Sequence, residues 1–316
     1  MIRCLCCNKE IKDATEYEMS VRWHKRCIRR FFGTAALPEL DCTEDELERI
    51  ANLTVSKGLT IPGVQKKLSL HLSSADKISK LTVVDYPTGY ILKPQSGDFS
   101  HLPESEYTTM KMAESVGIKT VPSALLFVGS SYVYITKRID RVSGQKLAME
   151  DFCQLSERVT ADKYKGSYEK CGKIITTYAK NVGLDMAEFY YRLLFCYVTG
   201  NSDMHLKNFS MIETMPKSRI FNLSAAYDLL PVNLIMPEDK EEVALSLNGK
   251  KRNVRKKDFL KLAENLGIHN NTAEKLMSEL VNKAEELTAQ IKISYLPEEM
   301  KSDFVQLLTQ RVKSLS

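Results

Sequence analysis

The pattern of hydrophobic and polar positions changes character near residue 150. Before it, short stretches in which apolar and polar positions alternate are separated by glycine and proline, which predicts strands around one helix over residues 103–116. After it, apolar positions recur at helical spacing, and residues 189–198 are apolar nearly all round, which predicts a buried helix. The pattern therefore predicts an α+β protein with a β-rich lobe followed by a mainly helical lobe.

Amphipathic helices are also predicted towards the end of the chain. The first covers residues 253–266, the second begins at Asn271, and the last begins near residue 298. We expect the second helix to be continuous and to bury one face, made of Leu276, Leu280, Ala284, Leu287 and Ile291.

Composition separates a short N-terminal segment from the two lobes. Residues 1–33 hold the single tryptophan and four of the eight cysteines. We therefore expect three domains, namely a Cys/His module over residues 1–33, a β-rich N-lobe with a linker helix over 34–139, and a helical C-lobe over 140–316.

Composition also excludes several classes of protein. No apolar run is long enough to span a membrane, and the first residues lack the apolar core of a secretion signal. The net charge of +5 is too small to indicate a nucleic-acid binder by itself. Cysteines without a secretion signal favour a cytoplasmic location, where clustered cysteines more often bind metal than form disulfides.

The cysteines of the N-terminal module have the spacing of a zinc site. Cys4 and Cys7 form one pair and His24 and Cys27 another, each with two residues between them. Two such turns supply one nitrogen and three sulfurs to a tetrahedral ion, and this donor set favours zinc. Cys6 could take the place of Cys7, and the alternative is a group of reduced cysteines without metal. A zinc ion here would be structural, since the protein would fill all four positions.

Residues 200–210 carry the strongest catalytic signal, with the sequence Gly-Asn-Ser-Asp-Met-His-Leu-Lys-Asn-Phe-Ser. Phosphoryl transfer needs these residue types. A carboxylate takes the proton of the attacking hydroxyl, an amide oxygen reaches Mg²⁺, and cations offset the charge on the phosphate. The step of five residues from Asp203 to Asn208 matches the catalytic loop of protein kinases.

Three further residues fit the same chemistry. Asp228, in Tyr-Asp-Leu-Leu-Pro, supplies a second acid for the metal, and a predicted strand pair would return it to the loop. Lys93 ends an apolar strand, from which it can point towards nucleotide phosphates, and Glu106 on the following helix is its candidate partner. Taken singly, each of these residues would more often have a purely structural role.

These motifs resemble those of the HipA-like serine/threonine kinases. The shared order is Pro-Gly-Val-Gln-x-Lys-Leu, Tyr-Ile-Leu-Lys-Pro, Glu-Ser-Glu-Tyr, Ile-Asp-Arg, Gly-Asn-x-Asp-x-His-x-Lys-Asn-Phe-Ser and Tyr-Asp-Leu-Leu-Pro. The resemblance covers about residues 58–310. It implies a bilobal protein-kinase-like fold that binds ATP and Mg²⁺.

The resemblance also implies roles for individual residues. Asp203 corresponds to the catalytic base, with Lys207 near the transferring phosphate, and Asn208 and Asp228 correspond to the Mg²⁺ ligands. Further nucleotide contacts are implied for the glycine loop, the strand lysine and its glutamate, the hinge backbone and one histidine, namely Gly63, Val64, Lys93, Glu106, Lys137, Ile139 and His205.

Regulation and partners follow from the same resemblance. Thr60 stands where family members often carry a serine whose autophosphorylation switches the kinase off, although Pro62 replaces the small residue before Gly63. Known members are toxins that phosphorylate an aminoacyl-tRNA synthetase and pair with a DNA-binding antitoxin. Larger members have an extra N-terminal subdomain that is a separate small protein in short relatives, so a small partner subunit is also expected.

Two other functions fit part of the sequence. A small-molecule phosphotransferase of the aminoglycoside-kinase type also uses an Asp, an Asn five residues later and a further Asp, but it usually shows His-Gly-Asp. A non-enzymatic zinc-containing nucleic-acid adaptor fits the basic N-terminal module, but it leaves the acidic and amide residues of the loop unexplained. Direct contact with nucleic acid stays open.

Overall fold

A computed structural model describes residues 2–47, 49–50, 67–75, 78–142 and 144–316. The chain divides into two compact units, of which the first consists of Met1–Tyr107 and Val121–Arg141 and the second of Thr108–Thr120 and Val142–Ser316. Within the described ranges, no helix combines the length and apolar character needed to cross a bilayer.

The first unit is a β-sheet preceded by a small helical module. Its helices and strands are α1 (Glu16–Val21), α2 (Lys25–Phe32), β1 (Glu39–Leu40), β2 (Leu68–Ala75), β3 (Ile78–Val84), β4 (Tyr90–Lys93), β5 (Ser123–Val128) and β6 (Ser131–Lys137). Helix α3 (Leu102–Ser115) begins in this unit and ends in the second. The strands form one sheet in the order β1-β3-β2-β4-β6-β5, in which β1 pairs with β3 in parallel and the other neighbours pair antiparallel.

The N-terminal module lies against β5, a strand at the edge of this sheet. The backbone N–H of Leu125 donates to the carbonyl of Leu5 over 2.9 Å, and the indole N–H of Trp23 donates to the carbonyl of Leu125 over 3.2 Å. The rings of Phe32 and Tyr90 have centres 5.5 Å apart. Main-chain bonds and aromatic packing therefore join the module to the sheet.

The second unit is mainly helical. After β6 the elements are, in chain order, β7 (Arg141–Val142), β8 (Gln145–Lys146), β9 (Met149–Asp151), α4 (Phe152–Leu155), α5 (Tyr168–Tyr178), α6 (Val182–Val198), β10 (Ser210–Glu213), β11 (Phe221–Leu223), α7 (Val232–Ile235), α8 (Lys256–Asn265), α9 (Asn270–Asn282), α10 (Ala284–Lys292) and α11 (Glu298–Leu315). Strand β10 pairs antiparallel with both β9 and β11.

Helix α6 lies in the core of the second unit. Every residue from Phe189 to Val198 is buried, which confirms the prediction of a buried helix. Arg192 is buried among them because its guanidinium donates to the carboxylate of Glu188 over 3.1 Å and to the carbonyl of Ser224 over 2.9 Å. A buried cation tolerates this environment only when such partners are present.

The prediction of one continuous helix from Asn271 was wrong. The chain forms α9 and α10, which are separated at Lys283. The Lys283 ammonium donates to the carbonyl of Val116 over 2.9 Å, a long-range contact that local periodicity does not reveal. Of the five residues expected on the buried face, Leu280, Leu287 and Ile291 are buried, whereas Leu276 and Ala284 are half-buried.

Candidate active site

Residues 199–209, here called the catalytic loop, connect two buried elements. Helix α6 ends at Val198 and β10 begins at Ser210. Gly200 has a φ of +69°, and a Cβ at this position would lie 2.6 Å from Cδ2 of Leu307, so the turn favours glycine. A 3-10 turn over Leu206–Asn208 precedes β10. The predicted catalytic residues therefore lie on a short segment that is anchored at both ends.

Asp203 and Asn208 are joined by a hydrogen bond across the loop. Nδ2 of Asn208 donates to the backbone carbonyl of Asp203 over 2.8 Å, which orients the Asn208 amide oxygen as the acceptor end of the side chain. The backbone N–H of His205 donates to the same carbonyl over 2.8 Å. The Asp203 side chain is 42% exposed although its backbone is fixed. A general base needs this combination of accessibility and fixed position.

The surroundings of Asp203 raise the pKa of its carboxyl group. Partial burial of the side chain, together with the negative charges of Asp228 and Asp239, raises this pKa to about 6, although a hydrogen bond from Tyr164 and the charge of Lys163 oppose the shift. At pH 7 the group is therefore mostly ionised and able to accept a proton.

The segment that carries Asp228 is tied to the catalytic loop through the residues before it. The hydroxyl of Tyr227 donates to the carbonyl of Lys207 over 3.0 Å and lies 2.6 Å from the hydroxyl of Ser210. The backbone N–H of Ser224 donates to the carbonyl of Ser210 over 2.8 Å. Asp228 has a φ of +59°, a left-handed conformation that aspartate adopts more readily than most other residues. Its carboxylate is the kind of oxygen donor that Mg²⁺ prefers.

His205 is buried and uncharged at neutral pH. Burial and the positive charge of Lys163 lower its pKa to about 4. Its Nε2 lies 4.0 Å from Oδ2 of Asp203. Among the described residues its Nδ1 has no hydrogen-bond partner. A neutral, buried ring with an unused nitrogen fits the nucleotide contact that the family resemblance implies for this residue.

Lys207 is paired with an acid that sequence reasoning missed. Its Nζ lies 2.9 Å from Oδ2 of Asp151, while Oδ1 of Asp151 accepts from the backbone N–H of Gln154 over 2.9 Å at the start of α4. The spacing of Asp151 and Gln154 indicates a helix start, but nothing local identifies the second partner. A phosphate group that binds Lys207 has to compete with this carboxylate.

In the first unit, Lys93 and Glu106 form the predicted ion pair. Nζ of Lys93 lies 2.7 and 2.8 Å from the two carboxylate oxygens of Glu106, and both residues are buried. Removing two charges from water is costly, so a buried pair of this kind is weak evidence of a stabilising role. The pair lies at the end of β4.

The remaining predicted nucleotide and regulatory residues stay predictions. Those of the glycine loop lie outside the described residues, namely Thr60, Gly63 and Val64. Lys137 ends β6, and its backbone N–H donates to the carbonyl of Pro122 over 3.0 Å. That N–H is therefore already used within the first unit. Ile139 lies in the turn that follows.

The four residues predicted to bind zinc converge in the structure. Donor atoms of Cys4, Cys7, His24 and Cys27 all lie within 4.8 Å of one another. Nε2 of His24 lies 3.2 Å from the carbonyl of Glu10, while Nδ1 lies 3.4 Å from Sγ of Cys7. A carbonyl partner for one ring nitrogen fixes the tautomer and leaves the other nitrogen as a metal donor.

The thiols of this cluster also favour a bound cation. Hydrogen bonding with Cys27 raises the pKa of Cys4 and lowers the pKa of Cys7, so the crowded thiols compete for protons. A divalent ion removes this competition because it binds all of them as thiolates. The converging group contains Cys7 and not Cys6, so the geometry of the described residues favours the Cys4–Cys7 pair. Sulfur and imidazole donors in this ratio fit zinc.

Sequence reasoning also missed two side chains beside Asp203. The hydroxyl of Tyr164 donates to Oδ1 of Asp203 over 2.5 Å. Asp239 accepts from the hydroxyl of Ser202 over 2.8 Å, and its charge contributes to the raised pKa of Asp203. Both lie in turn-rich segments, where no local pattern distinguishes a site residue from a solvated one. The tertiary fold brings them to the loop.

Comparison with known proteins finds relatives along most of the chain. The family model of the HipA-like C-terminal domain matches residues 59–288. A predicted kinase of Haemophilus influenzae is 26% identical over 272 residues, which is 77% of each chain. The predicted kinase Y4dM of Sinorhizobium fredii is 33% identical over 221 residues, or 65% of this chain and 53% of the relative. The chain therefore spans about half the length of Y4dM.

Two solved structures share the fold. HipA of the Shewanella oneidensis MR-1 toxin–antitoxin system, whose structure includes HipB and operator DNA, gives a TM-score of 0.68 at 18% identity and covers 80% of this chain and 64% of its own. The Helicobacter pylori proinflammatory kinase CtkA gives a TM-score of 0.53 at 14% identity, over 78% of this chain and 90% of its own. The prediction of an α+β, kinase-like fold is thereby confirmed.

Proposed function

The chain belongs to the HipA-like kinase family, and on that premise we propose that it is an ATP- and Mg²⁺-dependent serine/threonine protein kinase. One observation carries the proposal, namely the accessible carboxylate of Asp203 on a loop that orients Asn208 and accepts a hydrogen bond from Tyr227, the residue before Asp228. Phosphoryl transfer needs a base and oxygen donors for a metal on one fixed frame. Within the first unit, the buried pair of Lys93 and Glu106 contains the kind of cation that kinases use to bind nucleotide phosphates.

In the proposed reaction Asp203 takes the proton of the attacking hydroxyl. A pKa of about 6 leaves the carboxylate ionised at pH 7 yet basic enough to accept that proton. The hydroxyl oxygen bonds to the γ-phosphorus, the bond from that phosphorus to the bridging oxygen breaks, and ADP leaves. Asn208 and Asp228 would hold Mg²⁺, which offsets the charge on the phosphate oxygens when bound.

We propose a protein of the translation machinery, such as an aminoacyl-tRNA synthetase, as the phosphate acceptor. This proposal rests on the family motifs and makes the chain a toxin that slows translation. The Shewanella HipA structure includes HipB and operator DNA, which supports a DNA-binding antitoxin as a partner of this chain also. A small subunit, as in short family members, is proposed on the same family grounds.

We also propose that the Cys/His cluster binds a structural Zn²⁺ ion. The donor set, the close approach of the four donor atoms and the carbonyl partner of His24 support this assignment. Bound there, the ion would hold the segment before α1 to the start of α2. It would act on the stability of the module and not on the transfer of phosphate.

A labelling experiment tests the proposed activity. The purified chain is incubated with Mg²⁺, γ-labelled ATP and purified aminoacyl-tRNA synthetases, and labelled protein is analysed for phosphoserine and phosphothreonine. We expect label on protein with the wild type and with Asp303→Asn, an exposed acid of α11, but not with Asp203→Asn. In a parallel incubation with an aminoglycoside, label on that compound and none on protein would indicate a small-molecule phosphotransferase. Absence of ATP binding would favour the nucleic-acid adaptor.

A further inference from the structure

A tyrosine outside the assigned catalytic set contacts the proposed base directly. Tyr164 lies in the turn formed by residues 160–166, here called the tyrosine turn, and its hydroxyl donates to Oδ1 of Asp203 over 2.5 Å. The other carboxylate oxygen, Oδ2, lies 4.0 Å from Nε2 of the neutral His205. The two oxygens of the base therefore have different surroundings, since only Oδ1 accepts a hydrogen bond from the phenol.

The tyrosine turn is attached to the rest of the unit on both sides of Tyr164. The carbonyl of Lys163 accepts from the backbone N–H of Leu206 over 3.2 Å, and the carbonyl of Gly166 accepts from the hydroxyl of Ser246 over 3.2 Å. The Lys163 ammonium also lies 4.9 Å from the centre of the Tyr164 ring. These contacts hold the phenol in a defined position although 43% of Tyr164 is exposed.

We propose that Tyr164 is a positioning residue for the catalytic base. Its hydroxyl holds Oδ1 and fixes the rotation of the Asp203 carboxylate, so that Oδ2 is presented to the substrate hydroxyl. The role rests on the proposed function, in which Asp203 is the base. An ionised carboxylate offers about four acceptor positions, so the phenol and a substrate hydroxyl can donate to it together.

The phenol keeps its proton under these conditions. Burial and the charge of Asp203 raise the pKa of Tyr164 above its usual value. It therefore donates a hydrogen bond and does not compete as a second base. Its ring centre lies 5.0 Å from that of His205, with the two planes at 76°, so the ring also covers the buried histidine.

Four charged or titratable groups surround Asp203 in addition to Tyr164. They come from the tyrosine turn, the catalytic loop, the segment after β11 and the segment after α7, and they are Lys163, His205, Asp228 and Asp239. All four are kept in Tyr164→Phe. Losing a hydrogen bond to the ionised form raises the pKa of a carboxyl group, so the base of the variant should ionise only at higher pH.

The pH profile of the full-length Tyr164→Phe variant tests this role, with ATP, Mg²⁺ and a protein acceptor. We expect kcat to fall about tenfold, KM for ATP to stay within about twofold, and the acidic limb to move up by about one pH unit. Tyr178→Phe is the matched control, since Tyr178 is an exposed tyrosine at the end of α5, and it should change none of these values.

A measurement that needs no turnover accompanies the kinetics. The carbon-13 signal of the Asp203 carboxyl group, assigned with Asp203→Asn, should titrate about one pH unit higher in Tyr164→Phe than in the wild type. A variant with the wild-type kcat, pH profile and carboxyl titration would overturn the positioning role. A variant faster than the wild type would also overturn it, because the hydroxyl would then block the base. If the wild type transfers no phosphate, the proposed function fails, while the carboxyl titration still tests the contact.

Discussion

The proposed zinc cluster and the proposed catalytic loop gather their side chains in different ways. In the Cys/His cluster the donor atoms lie within 4.8 Å of one another, and Cys4 and Cys27 are buried. On the catalytic loop, Asp203 is 42% exposed, and Asn208 is oriented by a backbone carbonyl instead of by other donors. The first arrangement can close around an ion, whereas the second keeps an open side for a ligand. The exposure of the side chains thus distinguishes the proposed structural site from the proposed catalytic one.

Removing metal from the cluster should have the largest effect on stability. Structural zinc contributes about 10 kcal/mol or more of apparent folding free energy in small zinc domains, so chelation or Cys27→Ser should unfold the module over residues 1–33. Elemental analysis should find one zinc per chain, and hydrogen exchange should show lost protection in the module. Cys42→Ser, at a half-buried cysteine outside the cluster, is the control. If the module amides stay protected from exchange in the metal-free chain, the Cys/His cluster is not a structural metal site.

Asp203→Asn should abolish most of the activity and leave the stability unchanged, the opposite of metal removal. Loss of the general base should lower phosphoryl transfer by about 100-fold to 10,000-fold, because the amide cannot accept the substrate proton. The melting temperature should stay close to that of the wild type, since the side chain is half-exposed and packs in no core. Both quantities can be measured on one preparation. Retained transfer would exclude Asp203 as the base.

Tyr227→Phe should give an intermediate effect that is specific to the metal. The substitution removes the hydrogen bond to the carbonyl of Lys207 and the contact with Ser210, worth about 1 kcal/mol each, and loosens Asp228 relative to the loop. We expect the Mg²⁺ concentration for half-maximal activity to rise about tenfold.

A second buried tyrosine provides the control for this experiment. Within the described residues, the hydroxyl of Tyr190 has no hydrogen-bond partner, so Tyr190→Phe should leave the Mg²⁺ requirement unchanged. If Tyr227→Phe and Tyr190→Phe behave alike, the tie between the Asp228 segment and the loop has no role in holding the metal.

The smallest of the expected effects is the change in activity with pH near neutrality. Below the pKa of about 6 the carboxyl of Asp203 is protonated and cannot accept a proton, so kcat/KM should rise with pH and level off above it. Between pH 6 and pH 7 the increase should be about twofold. His205, with a pKa lowered to about 4, should add no second step in this range. A profile that is flat from pH 5 to pH 7 would contradict the assigned base.

Sites built from neighbouring residues could be predicted from the sequence. The two-residue spacing within the Cys4–Cys7 and His24–Cys27 pairs, and the five-residue step from Asp203 to Asn208, are local patterns whose geometry follows from a turn. The same holds for the buried helix before the loop, because an apolar run needs no knowledge of its neighbours.

Contacts made across long stretches of chain could not be predicted in this way. Tyr164 reaches Asp203 from 39 residues away, and Asp151 reaches Lys207 from 56 residues away. In each case the tertiary fold, and not a spacing, creates the contact. Lys283, at the break between α9 and α10, likewise donates to a carbonyl 167 residues earlier. The side chains that contact the reactive groups of the proposed site could therefore not be predicted from the sequence.

The attachment of the module to β5 has a consequence for solubility. Leu125 exchanges hydrogen bonds with Leu5 and Trp23, and these contacts occupy backbone groups at an outer margin of the sheet. An exposed edge strand can pair with strands of other molecules and so start aggregation. A chain deprived of the module would present Leu125 to its neighbours, so the supply of metal to the module would also decide whether the protein stays dispersed.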